Sequence, residues 1–189
     1  ERGAFYYCEH LTEFIMPNTV MELTGTLTFA NCTSLKKLHF SKALVNIPEE
    51  TCENCYTLVD VLLPPVLQSI GANAFYRTKS LRKIDFPETL KSIGSYAFQE
   101  SRLDTVRLPL NLTTLDYYAF GNCDSLKYVE LSAYIPEYYH NFSDSYGINT
   151  IVCPSVIPPT IYYDPFSSGK DFSEITLYVP SISMLNYKL

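Results

Sequence analysis

The chain contains no tryptophan and only three histidines, and it carries 14 basic against 20 acidic residues for a net charge of −6. Nucleic-acid binders show a basic excess, so a nucleic-acid partner is not expected. No apolar run approaches the roughly 18 residues of a membrane-crossing helix, and membrane insertion by this segment is not expected either. The signatures of catalysis are missing as well. None of His10, His39 and His140 lies in a His-Glu-x-x-His pattern or at metal-ligand spacing to another. No Gly-x-Ser-x-Gly turn presents a nucleophilic serine, and Ser168-Gly169-Lys170 lacks the upstream glycine of a phosphate loop, so it reads as a surface turn. Asp and Glu are scattered with no pair marked out. The chain reads as non-enzymatic, with no metal and no cofactor. It also opens without a Met or a basic-then-apolar leader; Glu1-Arg2-Gly3-Ala4-Phe5 reads as the inside of a structural unit, as in a mature or trimmed fragment.

What the chain has is repetition. Apolar residues make up 47% and charged residues 18% of its 189 positions, the balance of a chain able to bury a core. One column runs Phe5, Phe29, Cys52, Phe75, Phe98, Phe120, Phe142, Phe166, at spacings of 22 to 24 residues. Six residues after each Phe position, or five in the fifth unit, lies an apolar residue, as at Leu58, Leu81, Leu103 and Leu126. Next come two inward candidates with one residue between them: Phe14 and Met16, Leu38 and Phe40, Val61 and Leu63, Ile84 and Phe86, Val106 and Leu108, Val129 and Leu131, Ile151 and Cys153, Ile175 and Leu177. Pro follows in five units, and a second apolar pair such as Leu67 and Ile70 or Leu90 and Ile93 comes after it.

The apolar-x-apolar segment has period two, which predicts a short strand with alternate side chains inward. Pro ends such a strand because it brings no N–H to the next ladder bond. The Gly-x-x-Ala-Phe stretch turns a corner, with Gly71 and Gly94 supplying unusual dihedrals. Ala-Phe is expected to form a short helical turn that drops Phe into the core. One unit cannot bury its own apolar face, so the units must stack and share a continuous core.

The run from Leu81 to Phe98, Leu-x-x-Ile-x-Phe-Pro-x-x-Leu-x-x-Ile-Gly-x-x-Ala-Phe, resembles the BspA-type leucine-rich repeat. The resemblance covers essentially residues 1–189. It implies a leucine-rich repeat solenoid, a right-handed β/α array of ~23-residue units with short parallel strands and short helical turns. A single domain of about eight units over residues 1–189 is expected, with an irregular stretch at 132–150 and a C-terminal cap at 178–189. Ile151 to Thr160, followed by Leu177-Tyr178-Val179-Pro180, is similar to the C-terminal end of such arrays. In the cap, Ser181 or Ser183 is placed to cap a helical turn that covers the last open sheet edge. Family members are mostly secreted or surface-exposed bacterial proteins, some resembling adhesins. The resemblance therefore implies an extracellular or bacterial cell-surface location and an extracellular protein or glycan as partner.

Cys52-Glu53-Asn54-Cys55 has the spacing of redox enzymes and of half a zinc site. The repeat accounts for it more simply. Cys52 occupies the Phe column, and Cys55 shares a second column with Cys8, Cys32, Thr78, Ser101 and Cys123 that asks for a small residue at an inward corner. Buried free thiols are expected. A disulfide such as Cys8–Cys32 fits poorly, since stacked rungs hold side chains ~4.8 Å apart and bonded Cβ atoms want ~3.8 Å.

The outward strand position runs Ile15, His39, Leu62, Asp85, Arg107, Glu130, Val152, Thr176, with Glu13, Lys37, Asp60, Lys83, Thr105 and Tyr128 beside it. These form ladders on an exposed sheet, and the candidate binding residues are His39, Leu62, Asp85, Arg107, Tyr128 and Glu130. The competing reading is a solvated face whose rungs pair charges, Asp85 with Arg107 and Arg107 with Glu130, so that the array is a spacer displaying another domain. Tyr134, Tyr138, Tyr139, Phe142 and Tyr146 crowd the irregular stretch. Tyr138 falls in a core column, whereas Tyr139 and Tyr146 are candidates for exposure. The glycosylation-like sequons at Asn31, Asn111 and Asn141, and the resemblance of Asp104-Thr105-Val106 and Asp124-Ser125-Leu126 to a bacterial O-glycosylation motif, carry no weight by themselves.

Overall fold

A computed structural model describes residues 3–162, 166, 172–183 and 186–187. Most units lay down two short strands and a tight corner, and the units stack into a parallel β-solenoid of about seven turns. In chain order the strands are β1 (Glu13–Ile15), β2 (Lys37–His39), β3 (Asn46–Ile47), β4 (Asp60–Leu62), β5 (Ser69–Ile70), β6 (Ser92–Ile93), β7 (Thr105–Arg107), β8 (Thr114–Leu115), β9 (Tyr128–Glu130), β10 (Glu137–Tyr139), β11 (Thr150–Val152), β12 (Thr160–Tyr162) and β13 (Thr176–Tyr178).

The predicted strand is present and its inward residues line up. Phe14, Leu38 and Val61 stand opposite one another across β1, β2 and β4, and Val106, Val129, Ile151 and Leu177 do so across β7, β9, β11 and β13. The last pairing corrects the expected register. Leu177, not Ile175, stands beside Ile151, so the outward place beside Val152 belongs to Tyr178 rather than Thr176. Ile175 and Leu177 are apolar at period two, so the pattern fits both registers; ladder bonds such as Cys153 N–H to the Tyr178 carbonyl, 2.9 Å, fix one.

The second apolar pair makes a sheet of its own. Ile47, Ile70, Ile93 and Leu115 pair in register across β3, β5, β6 and β8, and β10 with β12 forms a separate two-stranded piece. The first sheet is also divided. Ile84 is still inward, but Lys83–Phe86 joins neither β4 nor β7. This break lies beside the one unit a residue short between its Phe and Leu columns. Leu81 and Leu126 N–H groups close a turn onto Thr78 and Cys123 carbonyls at 3.0 and 2.9 Å, and Leu103 makes no such bond among the described residues.

The expected helical turn at Ala-Phe is not formed; the helices among the described residues are two three-residue 3-10 turns, Phe172–Glu174 and Ser181–Ser183. Two left-handed residues bracket Ala74-Phe75, Ala97-Phe98 and Ala119-Phe120 instead, as with Tyr96 (φ 60°) and Glu100 (φ 58°). The reason lies in where the N–H groups go. A helix would spend them internally, whereas here they bond the next rung: Phe29 to Thr51, Cys52 to Ala74, Phe75 to Ala97 and Phe98 to Ala119, all at 2.7–2.8 Å. The corner is therefore a third ladder. Gly71 and Gly94 do not have positive φ. They are small because a Cβ would come within 2.5 Å of Glu49 N and 2.7 Å of Ala72 N in the preceding rung.

The core is continuous. Phe75, Phe98, Phe120, Phe142 and Phe166 stack nearly parallel, with centroids 5.0–5.5 Å apart. Of the expected cap, Ser181–Ser183 forms one 3-10 turn and Tyr187 reaches back to the Ser155 carbonyl at 2.8 Å. Met184, Leu185, Lys188 and Leu189 lie outside the described residues, as does the Ser168-Gly169-Lys170 turn.

Candidate functional site

Strand alternation sends the predicted binding residues outward, and the division of the sheet separates them into groups. His39 and Leu62 sit on adjacent rungs of β2 and β4, with Ile15 beside His39. Ile15 and Leu62 are 59% and 50% exposed, which makes this half of the face apolar around one imidazole. His39 Nε2 lies 3.2 Å from Asp60 Oδ1, and Lys37 pairs with Glu13 at 3.0 Å.

Arg107, Tyr128 and Glu130 form the second group. The Arg107 guanidinium lies 5.0 Å from the centre of the Tyr128 ring, its Nε 3.7 Å from Glu130 Oε2. The Tyr128 hydroxyl donates to the same carboxylate oxygen at 3.4 Å. Burial, and then the Glu130 charge, raise the Tyr128 phenol above its ordinary value. The expected Arg107–Glu130 pair is made. The expected Asp85–Arg107 pair is not: Asp85 binds Lys83 on its own rung at 2.9 Å. Asp85 belongs to the unpaired rung, which is not held in ladder register with β7.

At that break a groove of about 590 Å³ opens on the strand face, lined by Arg82, Asp85, Phe86, Asp104, Arg107 and Glu130 among others. The groove is a product of the missing ladder. It brings Asp85, Arg107 and Glu130 together, while His39 and Leu62 stay outside its lining.

The cysteines take no part in a site of this kind. Cys52 and Cys55 are fully buried, and burial first, then the contact with Cys55, pushes the Cys52 thiol well up. The Cys55 column needs a donor as well as small size. Cys32, Cys55, Cys123 and Ser145 each donate to the carbonyl of a Phe-column residue on the preceding rung, at 3.0, 3.1, 3.3 and 2.8 Å. Among the described residues no three His, Cys, Asp or Glu side chains converge as metal ligands.

In the irregular stretch Tyr138 is fully buried, and Tyr139 and Tyr146 are exposed, as expected. Asn141 is buried with its amide and carbonyl ends both hydrogen-bonded, so its sequon offers no accessible acceptor. The sequence reading missed a second cleft, about 520 Å³, lined by Leu115, Asp116, Tyr117, Tyr139, His140 and Asn141. Its signal was present in the columns two and three residues before Phe, which turn aromatic at Tyr96, Tyr117, Tyr118, Tyr139 and His140.

Among the described residues no helix is long and apolar enough to cross a membrane. No curated protein matches the chain. Among solved structures, a leucine-rich repeat protein from Bacteroides ovatus is similar with TM-score 0.68 at 18% identity, over 91% of this chain and 54% of that one. The T. pallidum leucine rich repeat protein is similar with TM-score 0.71 at 24% identity, over 75% of this chain and 69% of that one. The pneumococcal vaccine antigen PcpA has TM-score 0.55 at 18% identity, over 93% of this chain and 52% of that one. The chain thus spans about half the length of the first and third, and at these identities the likeness is one of fold. A model of the BspA type leucine rich repeat region matches residues 1–127 and 45–172 in six copies, and the chain belongs to that family.

Proposed function

We propose that this chain is a non-enzymatic binding or adhesion module of a secreted or cell-surface bacterial protein, and that it takes an extracellular protein or glycan on its strand face. The observation that carries this reading is the state of Arg107. Its Nε lies 3.7 Å from Glu130 Oε2 and its guanidinium 5.0 Å from the centre of the Tyr128 ring, which places an exposed cation at the groove in a set orientation. An oriented guanidinium fork at the edge of a groove suits a carboxylate-bearing partner, whether an acidic side chain or an acidic sugar.

The spacer reading draws support from the same face. Lys37–Glu13 and Arg107–Glu130 pair opposite charges across neighbouring rungs, and His39 contacts Asp60 across another. A binding screen against extracellular-matrix proteins and glycans, run on wild type and Arg107→Ala, separates the two. A ligand lost on Arg107→Ala supports the module. No ligand across the screen supports the spacer.

A further inference from the structure

A different face carries a feature that the fold does not require. The position two residues before the Phe column is left-handed in six rungs. It is Leu27, Glu50 and Asn73 in three of them, and then Tyr96 (φ 60°), Tyr118 (φ 54°) and His140 (φ 49°). A left-handed backbone favours Asn and disfavours a bulky ring. Three successive aromatic residues there stand where an Asn serves an earlier rung, so backbone preference does not account for them.

The rings gather on one surface, away from the strand face. Tyr117 lies 4.5 Å from Tyr118, 5.4 Å from His140 and 6.0 Å from Tyr96 by ring centroids. Across the rung Tyr139 stacks on Tyr162 at 4.7 Å. The cleft of about 520 Å³ includes Tyr117, Tyr139 and Asp116 in its lining. It opens where β8 and β10 fail to pair. Asp116 stands where earlier rungs have Gly71 and Gly94. Its carboxylate is exposed and has no hydrogen bond or ion pair among the described residues.

We propose that this aromatic cleft is a second binding site, distinct from the strand face, for a neutral pyranose unit of an oligosaccharide. Exposed tyrosine rings give flat apolar faces with polar tips, which match a sugar ring that is apolar on its C–H face and polar at its rim. The Asp116 carboxylate supplies two acceptors for neighbouring hydroxyls. Asp116 in the cleft, with Glu137 and Asp144 in the sequence around it, disfavours an anionic ligand.

The test is affinity electrophoresis of the whole chain through gels containing a neutral polysaccharide: β-glucan, xylan, mannan or starch. The variants are Tyr118→Asn, Asp116→Ala and Arg107→Ala, with thermal melts alongside. Tyr118 lies outside the cleft lining and supports it through the Tyr117 ring 4.5 Å away; Tyr118→Asn is chosen because Asn suits the left-handed backbone, so its fold should be kept or strengthened. The expected result is retardation by at least one polysaccharide, weakened at least tenfold in Tyr118→Asn and Asp116→Ala. Arg107→Ala should leave that retardation unchanged, which separates this site from the strand face. Three results overturn the proposal: no retardation by any of the four, retardation indifferent to both Tyr118→Asn and Asp116→Ala, or tighter capture of a proline-rich decapeptide by the same residues.

Discussion

The side-chain amide of Asn141 donates to the Leu115 carbonyl across 26 residues of chain, at 2.9 Å. The same amide nitrogen also reaches the Asp116 carbonyl at 2.9 Å, and Asn141 Oδ1 accepts from Tyr139 N–H at 2.7 Å. In earlier rungs backbone groups do this work: Gly94 N–H bonds the Ile70 carbonyl and Asp116 N–H bonds the Ile93 carbonyl. Where β8 and β10 do not pair, one side chain splices the gap. The buried Leu115 carbonyl, which would otherwise lie dry, is satisfied, and the part-buried Asp116 carbonyl shares the same donor group.

Asn141→Ala should therefore destabilise the chain by about 1–3 kcal/mol, chiefly for the buried Leu115 carbonyl left unsatisfied. Asn141→Asp keeps the acceptor for Tyr139 but removes both donors and buries a charge, so it should cost at least as much. Urea titrations of both variants check this. Losses below about 0.5 kcal/mol in both would show that the splice does not hold the rungs together.

Phe75→Ala and Phe98→Ala should each cost about 3–5 kcal/mol, as large-to-small changes in a packed core. Both rings are fully buried and stack on one another at 5.0 Å, so the two losses should not add. Melts of the single and double variants measure the coupling.

The thiols predict a dependence on pH. Burial pushes Cys32 and Cys123 from an ordinary 9.0 up to about 12. A folded value above the unfolded one means that the protonated thiol is stabilised by folding. This contribution is complete below about pH 9 and is lost as pH rises from about 9 toward 12, by at most about 1.4 kcal/mol per pH unit for each thiol. Cys32→Ser keeps a donor for the Phe5 carbonyl but cannot titrate in this range. Denaturant midpoints at pH 8 and pH 10 should fall less in Cys32→Ser than in wild type.

Cys52 and Cys55 should resist a thiol reagent in the native state and react once denaturant is added. Burial keeps both from water, and the raised Cys52 thiol leaves little thiolate to react. Fast labelling of either in native buffer would restore a redox reading of the Cys-x-x-Cys spacing.

On the strand face, Arg107→Ala should weaken any ligand found there by more than ~1 kcal/mol while the melting temperature stays nearly fixed. Glu130→Gln is the informative companion. It keeps a group near Arg107 but removes the charge that competes with a ligand carboxylate. Titrations should show Glu130→Gln binding as tightly as wild type or tighter.

The sequence by itself determined the unit, its length, its strand and its inward residues, because burial repeats at fixed places and period two marks one face of a short strand. It also marked Arg107 and Glu130 as neighbours, since stacked rungs carry equivalent positions into contact. Three matters were left to the tertiary structure. The Ala-Phe corner became a ladder rather than a helical turn because its N–H groups have partners only on the adjacent rung, which a pattern within one unit does not contain. The choice between Ile175 and Leu177 as the inward partner of Ile151 depended on hydrogen bonds between strands, to which a period of two is blind. Both clefts lie where a ladder fails, between β4 and β7 and between β8 and β10. A one-residue shortening after Phe98 and an Asn at 141 look minor in the sequence. Their consequence appears only when rungs are stacked, because a gap in a sheet is a relation between units that no single unit encodes.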